Sequence, residues 1–224
     1  MKRGLFITFE GVDGVGKTTQ AEHLRDYLAQ TTSLQDYLGV QRQPVLLTAE
    51  PGGTGLGWGI RPLLLDPAGP RIGKRAEALL FAADRAQHVA EKILPALEKG
   101  QTVICDRYTD STLAYQAGGR ELDARDVEWL NEWATGGLQP DRTYLLDMEP
   151  KDRRLTGEVD RLEGQCFEFQ NQVRRKFLDL AKQYPERIMV LDGSLSRSQV
   201  EKLIRADVDR MLAERASADP LEIR

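Results

Sequence analysis

The sequence predicts an α/β protein in which a five-stranded parallel sheet is flanked by helices in three layers. Three observations carry that expectation. Apolar runs suited to buried strands recur five times along the 224 residues. Helical patterns separate them, and a glycine-rich turn joins the first run to the first helix. At 41% hydrophobic and 29% charged residues the composition is ordinary for a globular chain. The length suits one domain, 1–224, with a sizeable core.

The first run, Gly4–Glu10, reads as a buried strand. The stretch FEGVDGVGKTTQ overlaps its end, and Ala21, Leu24 and Leu28 mark one face of the helix behind it. Glycines cost backbone entropy, so crowding them between a strand and a helix needs a reason. Their spacing supplies one: Gly11-x-x-x-x-Gly16-Lys17-Thr18 fits G-x-x-x-x-G-K-[ST], the phosphate-binding P-loop, in the strand–loop–helix context the motif requires. The segment Gly11, Val12, Asp13, Gly14, Val15, Gly16, Lys17, Thr18 and Thr19 is expected to cradle the phosphates of a nucleotide at the positive end of the helix. Lys17 would reach the β- and γ-phosphates and the Thr18 hydroxyl would ligate Mg²⁺. The alternative, a tight turn that binds nothing, has this context against it.

The second run, Pro44–Thr48, leads into EPGGT, where Gly52 and Gly53 are free to take positive φ; alone it is merely a loop. From Lys74 to about Leu97 a long helix places Ala76, Leu79, Leu80, Ala83, Val89 and Ile93 near helical spacing, and Pro95 should end or kink it. Phe81 and Arg85 stand four apart, on one face. By themselves they read as core packing and as half of a solvated Asp84–Arg85 pair worth less than ~1 kcal/mol. The third run, Thr102–Asp106, ends in a carboxylate in the manner of a Walker B strand, which holds Mg²⁺ directly or through water; a cap on the next turn is the equal alternative. Arg107 beside it could clamp a phosphate bidentately. Thr143–Asp147 and Arg187–Asp192 complete the strands. Val200, Leu203, Ile204, Val208, Met211 and Leu212 stripe a last helix, and about 214–224 reads as a frayed tail. Ligands of open parallel sheets bind at the carboxyl ends of the strands, where the P-loop, EPGGT and DRYTDS gather.

A net charge of −4 speaks against bulk nucleic-acid binding, which wants a basic face. Cys105 and Cys166 lie far apart, without CxxC or Cys/His spacing, which fits a reducing compartment. The N-terminal apolar run is too short for a signal peptide, and no stretch approaches the ~20 apolar residues of a membrane span. The expectation is a cytoplasmic protein with neither nucleic acid nor membrane as partner.

FEGVDGVGKTTQ, EPGGT, LLFAADRAQH, CDRYTDSTLAYQ and DRLE…F, in that order and over nearly the whole chain, resemble the thymidylate kinase family, nucleoside monophosphate kinases of the P-loop NTPases. The resemblance implies the three-layer P-loop kinase fold, phosphoryl transfer from ATP with Mg²⁺ to dTMP for dTTP biosynthesis, and a homodimer. It implies that Lys17, Arg107 and Asp13 are catalytic, Asp13 lying near the acceptor's sugar, its phosphate and the metal. It implies that Thr18, Asp106 and Asp13 bind Mg²⁺. Phe81 would stack on thymine, Arg85, with five donors and no acceptor, would meet its carbonyl edge, and Tyr115 would pack where a 2′-hydroxyl collides. Ser111, Thr112 and Gln116 would line the pocket with Glu50 and Pro51. Residues 151–163 resemble a lid, with Arg153, Arg154 and Arg161 as candidates for reaching the transferred phosphate.

Three features depart from the family. Ala49 stands where REPGGT has arginine, the lid is short, and TTSLQDYLGVQRQ is long. Another P-loop kinase would share the phosphate parts, but FAADR and LAYQ favour thymidylate. A GTPase switch would carry Asn-Lys-x-Asp, which the sequence lacks.

Overall fold

Every residue of β1 (Phe6–Glu10) is buried, as a parallel strand covered on both faces requires. In the computed structural model, which describes residues 3–31, 45–150 and 160–218, β1 is the middle strand of a five-stranded parallel sheet of order β2-β3-β1-β4-β5. Its companions are β2 (Leu46–Ala49), β3 (Val103–Asp106), β4 (Arg142–Asp147) and β5 (Ile188–Asp192). All five expected runs are strands, with ends moved by one or two residues. Most of the expected lid and nearly all of TTSLQDYLGVQRQ lie outside the described residues.

The helices are α1 (Lys17–Gln30), α2 (Gly55–Leu65), α3 (Lys74–His88), α4 (Leu94–Glu98), α5 (Thr109–Thr112), α6 (Ala124–Thr135), α7 (Phe167–Gln183) and α8 (Arg197–Ala218). Among the described residues none is long and apolar enough to cross a membrane. Alternation along the strands divides the core. Ile7, Phe9, Ile104, Tyr144 and Leu146 meet α1 and α8 through Leu24, Leu28, Ile204 and Val208. On the other face Leu145 and Ile188 meet Val173 and Phe177 of α7, while Phe6, Val103 and Cys105 meet Val89, Ile93 and Leu97. Helices on both faces give the three layers, each large buried side chain contributing about 1.5–3 kcal/mol.

Three expectations need correction here. Pro95 does not end the long helix. A π-helical turn, Val89–Ile93, joins α3 to α4 without a break, the Leu94 N–H bonding the Val89 carbonyl five residues back, and the helical backbone carries on past Pro95 to Glu98. The apolar stripe expected on the long helix divides: Ala76, Leu79 and Ala83 are exposed, Leu80 is half-buried and Val89 and Ile93 are buried, while the buried face of α3 carries Glu77, Asp84, Arg85 and His88 among Ala78, Phe81 and Ala82. Leu203 of the last stripe is exposed too, and α8 runs on to Ala218, past the expected start of fraying.

Candidate active site

The loop after β1 turns where glycine is needed. Gly16 precedes α1 at φ 98°, and a Cβ on Gly11, at φ 134°, would lie 2.4 Å from the Leu146 carbonyl oxygen. Lys17 folds back so that Nζ donates to the Val12 carbonyl at 2.9 Å. Burial, then the charge of Arg107, pulls the Lys17 pKa down against Asp13, Asp106 and Glu10. The Thr18 hydroxyl donates to Asp106 Oδ2 at 2.5 Å, and Asp106 Oδ1 is buried without a hydrogen-bond partner. The N–H groups of Tyr108 and Ser111 at the start of α5 go to Glu10 at 2.8 and 3.3 Å, so it is Glu10 that caps the turn after β3.

Arg107 has φ 71°, the left-handed region uncommon for a residue with a side chain. Its guanidinium lies over the loop. Nη1 donates to the Gly11 carbonyl at 3.0 Å and to Ser111 Oγ at 3.1 Å, and Nη2 pairs with Asp13. The Tyr115 hydroxyl donates to the other Asp13 oxygen at 2.7 Å. Burial alone would raise the Asp13 pKa; Arg107, Lys17 and the Tyr115 hydrogen bond outweigh it and bring the group to about 2. Beneath them Glu10 is fully buried. It accepts from the backbone N–H of Tyr108 at 2.8 Å and bonds the Ser111 hydroxyl at 2.5 Å. Burial, seconded by the charge of Asp110, pushes its pKa up to about 8.

The facing wall comes from EPGGT and α3. Gly52 takes φ 113° as expected. Gly53 does not take positive φ; it is glycine because a Cβ there would lie 2.5 Å from the His88 ring. Asp84 and Arg85 are both buried, which replaces the solvated-pair reading, and they serve different partners. Asp84 Oδ1 accepts from Gly52 N at 2.9 Å. Arg85 donates from Nε to Glu50 at 2.8 Å, from Nη1 to Thr112 at 2.6 Å and Asn131 at 2.8 Å, and from Nη2 to the Tyr108 carbonyl at 2.9 Å. With five donors in all, a single Nη2 hydrogen is left over among the described residues.

These residues enclose a cleft of about 350 Å³. Glu50, Pro51, Phe81, Arg85, Arg107, Ser111, Thr112, Tyr115 and Gln116 all line it, with Asp13, Lys17, Thr18 and Asp106. A second cleft of about 350 Å³ runs along the other side of the loop, lined by Gly14, Val15, Gly16, Lys17, Thr18 and Thr19 and by Met148, Gly193, Leu195 and Arg197. Lys17, Thr18 and Glu163 border both. Gly11 and Val12 line neither; Val12 packs into the core.

Sequence reasoning missed Arg61, Leu65, Asp160 and Glu163 on the first cleft, and Gly193 and Arg197 on the second. Only DRLE signalled any of them. Arg161 is turned elsewhere. Its Nη2 pairs with Glu77 at 2.6 Å and its Nε donates to the Leu64 carbonyl at 2.7 Å, so the buried Glu77 charge holds it off both cleft walls. Arg153 and Arg154 lie outside the described residues.

A phosphate loop at the carboxyl edge of a parallel sheet, with one cleft beside it and a second opening across from it, is the arrangement of a P-loop phosphotransferase with separate donor and acceptor sites. Comparison narrows the class. The sequence profile described as thymidylate kinase matches residues 9–204. The thymidylate kinase of Bifidobacterium longum subsp. infantis is 55% identical over 214 residues, 93% of this chain and 88% of the relative. That of Cutibacterium acnes is 47% identical, covering 93% and 98%. The crystal structure of thymidylate kinase from Ehrlichia chaffeensis superposes with a TM-score of 0.74 at 33% identity, covering 92% of this chain and 98% of that one. The chain belongs to the thymidylate kinase family.

The Glu10 carboxyl gives a pH-dependent outcome. Between its ordinary value of 4.5 and about 8, the folded protein keeps a proton that the unfolded chain has lost, so this group's contribution to stability falls as pH rises through that window. Relative to Glu10→Gln, which is shape-preserving and cannot ionise, the wild type should lose at most about 1.4 kcal/mol per pH unit there. Urea midpoints of both proteins from about pH 5 to 8 check this; parallel curves would refute it.

Proposed function

We infer that the protein transfers the γ-phosphoryl group of ATP to dTMP, giving dTDP and ADP. The observation that carries this reading is the meeting of two clefts at Lys17, Thr18 and Glu163. A triphosphate along the P-loop and a monophosphate in the facing cleft then present their reacting groups to each other. Positioning and charge neutralisation supply most of such a transfer. Lys17 and Arg107 offset negative charge at the junction, and Asp13 keeps the Arg107 guanidinium aimed. Arg61, whose Nη1 donates to the Pro51 carbonyl at 2.6 Å on the acceptor wall, supplies a cation on the side where Ala49 has none.

The acceptor is a thymidylate for reasons of shape and hydrogen bonding. Phe81 offers a flat apolar face for a pyrimidine. The remaining Nη2 hydrogen of Arg85 suits the 4-carbonyl of thymine and opposes the 4-amino group of cytosine, a donor facing a donor. Tyr115, tied to Asp13, fills the space a ribose 2′-hydroxyl needs. Gln116 is held by a 3.1 Å hydrogen bond to Glu77.

The donor set fits Mg²⁺, since Asp106 Oδ1 is buried without a partner beside the Thr18 hydroxyl. Each Asp13 oxygen already accepts one hydrogen bond, from Arg107 or Tyr115, and keeps a further lone pair, so Thr18 and Asp106 lead the metal assignment and Asp13 remains its third member. When bound, the ion neutralises phosphate charge. The reading includes a cytoplasmic enzyme and a homodimer. The stacked, exposed Trp129 and Trp133 on α6 support the dimer, because adjoining apolar side chains left in solvent mark interfaces.

Purified protein with ATP, Mg²⁺ and a panel of nucleoside monophosphates should turn over dTMP best, and no dTDP would overturn the reading. Lys17→Ala should lower that turnover ~10²–10³-fold with the circular dichroism spectrum unchanged. Asp106→Asn should raise the Mg²⁺ concentration needed for half-maximal rate well beyond its effect on nucleotide binding; an identical Mg²⁺ titration would remove Asp106 from the metal set. Light scattering should give about twice the 25.2 kDa chain mass and a shift toward monomer for Trp133→Glu. A wild type of single-chain mass at working concentrations would exclude the dimer.

A further inference from the structure

His88 lies outside the cleft wall, fully buried at the end of α3. Its Nδ1 is 2.9 Å from Glu50 Oε1, and its Nε2 is 2.7 Å from Thr48 Oγ1. A carboxylate only accepts, so Nδ1 carries a hydrogen whatever the charge of the ring. The second oxygen of Glu50 receives Arg85 Nε at 2.8 Å. A continuous line of contacts therefore runs from the Thr48 hydroxyl through His88 and Glu50 to the guanidinium facing the acceptor cleft. The Gly53 backbone lies so close against the His88 ring that a Cβ would reach it at 2.5 Å. Ring orientation thus also fixes the turn that carries Glu50. The Glu50, His88 and Cys105 ligand atoms all lie within 4.8 Å of one another. Both Glu50 oxygens are nevertheless engaged and Cys105 Sγ donates to the Arg107 carbonyl at 3.1 Å, so the cluster is a hydrogen-bonded support.

We propose that His88 is a positioning residue for base discrimination: by holding Glu50 it aims the one Arg85 donor left for the acceptor base. The proposal rests on the reading of dTMP as acceptor and of Arg85 as the group that meets its carbonyl. Four of the five Arg85 donors are fixed internally, so the direction of the fifth is set by the anchors, and Glu50 is the only charged one among them. A small rotation of Glu50 would turn that donor off the carbonyl while leaving the stacking face of Phe81 and the phosphate loop untouched. Selectivity between thymine and cytosine would then fall, while use of ATP would not.

Two amide replacements separate the roles of the two ring nitrogens. His88→Asn sets its N–H₂ near the place of Nδ1 and keeps the donor to Glu50; His88→Gln sets it near Nε2 and loses that donor. Steady-state kinetics with dTMP and dCMP give the ratio of kcat/KM values for wild type and both variants, with KM for ATP and thermal midpoints alongside. The Asn variant should keep the wild-type ratio within about threefold and the Gln variant should lose about tenfold or more, each with KM for ATP unchanged. Equal ratios in two folded variants, or a parallel change in KM for ATP, would overturn the proposal. Should the Gln variant not fold, Thr48→Val decides: releasing the far side of the ring should lower the ratio about threefold or more, and an unchanged ratio refutes the role. A wild type that does not prefer dTMP over dCMP would sink the acceptor reading itself, and this proposal with it.

Discussion

Asp13 and Arg107 hold each other across the carboxyl edge of the sheet, and much of the acceptor cleft is built on that contact. Asp13 belongs to the loop after β1 and Arg107 to the turn after the neighbouring β3. Their pairing draws two loops far apart in sequence into one wall. The left-handed backbone of Arg107 costs about 1–3 kcal/mol and is sustained by contacts to Gly11, Ser111 and Asp13. A lysine could not replace it, because a single ammonium lacks the planar fork that reaches a carbonyl, a hydroxyl and a carboxylate together. Desolvating such a pair cancels much of its attraction. What the contact contributes is geometry more than stability.

The same trade shapes α3. Its inward face carries Glu77, Asp84, Arg85 and His88 among Ala78, Phe81 and Ala82, an unusual share of polar groups for the buried side of a helix. Buried charge is tolerable when paired, and Glu77 takes Arg120, Arg161 and Gln116 while Glu50 takes Arg85 and His88. A polar interior lets one helix organise a specificity pocket, the segment after the expected lid, and the turn following β2. It also leaves Leu79 in solvent, where another surface has to cover it or water must.

The sheet was legible because buried parallel strands are short continuous apolar runs, and the phosphate loop because its spacing is local and chemically demanding. The residues that the resemblance assigns to the acceptor line one cleft, and that grouping is not visible in their spacing alone. Periodicity misplaced Ala76, Leu79 and Ala83 on α3 for a definite reason. A repeat of apolar residues fixes their common face but not which side of the helix meets the core. Gly53 looked like a turn residue, yet its constraint is the His88 ring, 35 positions away in sequence. Arg161 looked available until Glu77 was found beside it. The far side of the second cleft comes from Gly193, Leu195 and Arg197, residues that match no motif and are brought there by the return of β5 to the sheet.

Lys17, Thr18 and Glu163 border both clefts, which has a thermodynamic consequence. A side chain shared between two binding sites cannot be rearranged by one occupant without altering the free energy of the other's binding. If the first ligand changes the affinity for the second by some factor, the second changes the affinity for the first by the same factor. If donor and acceptor occupy these clefts as proposed, they are coupled ligands whenever either one moves a shared side chain, and the tightness of a compound lodged in one cleft then depends on what fills its neighbour.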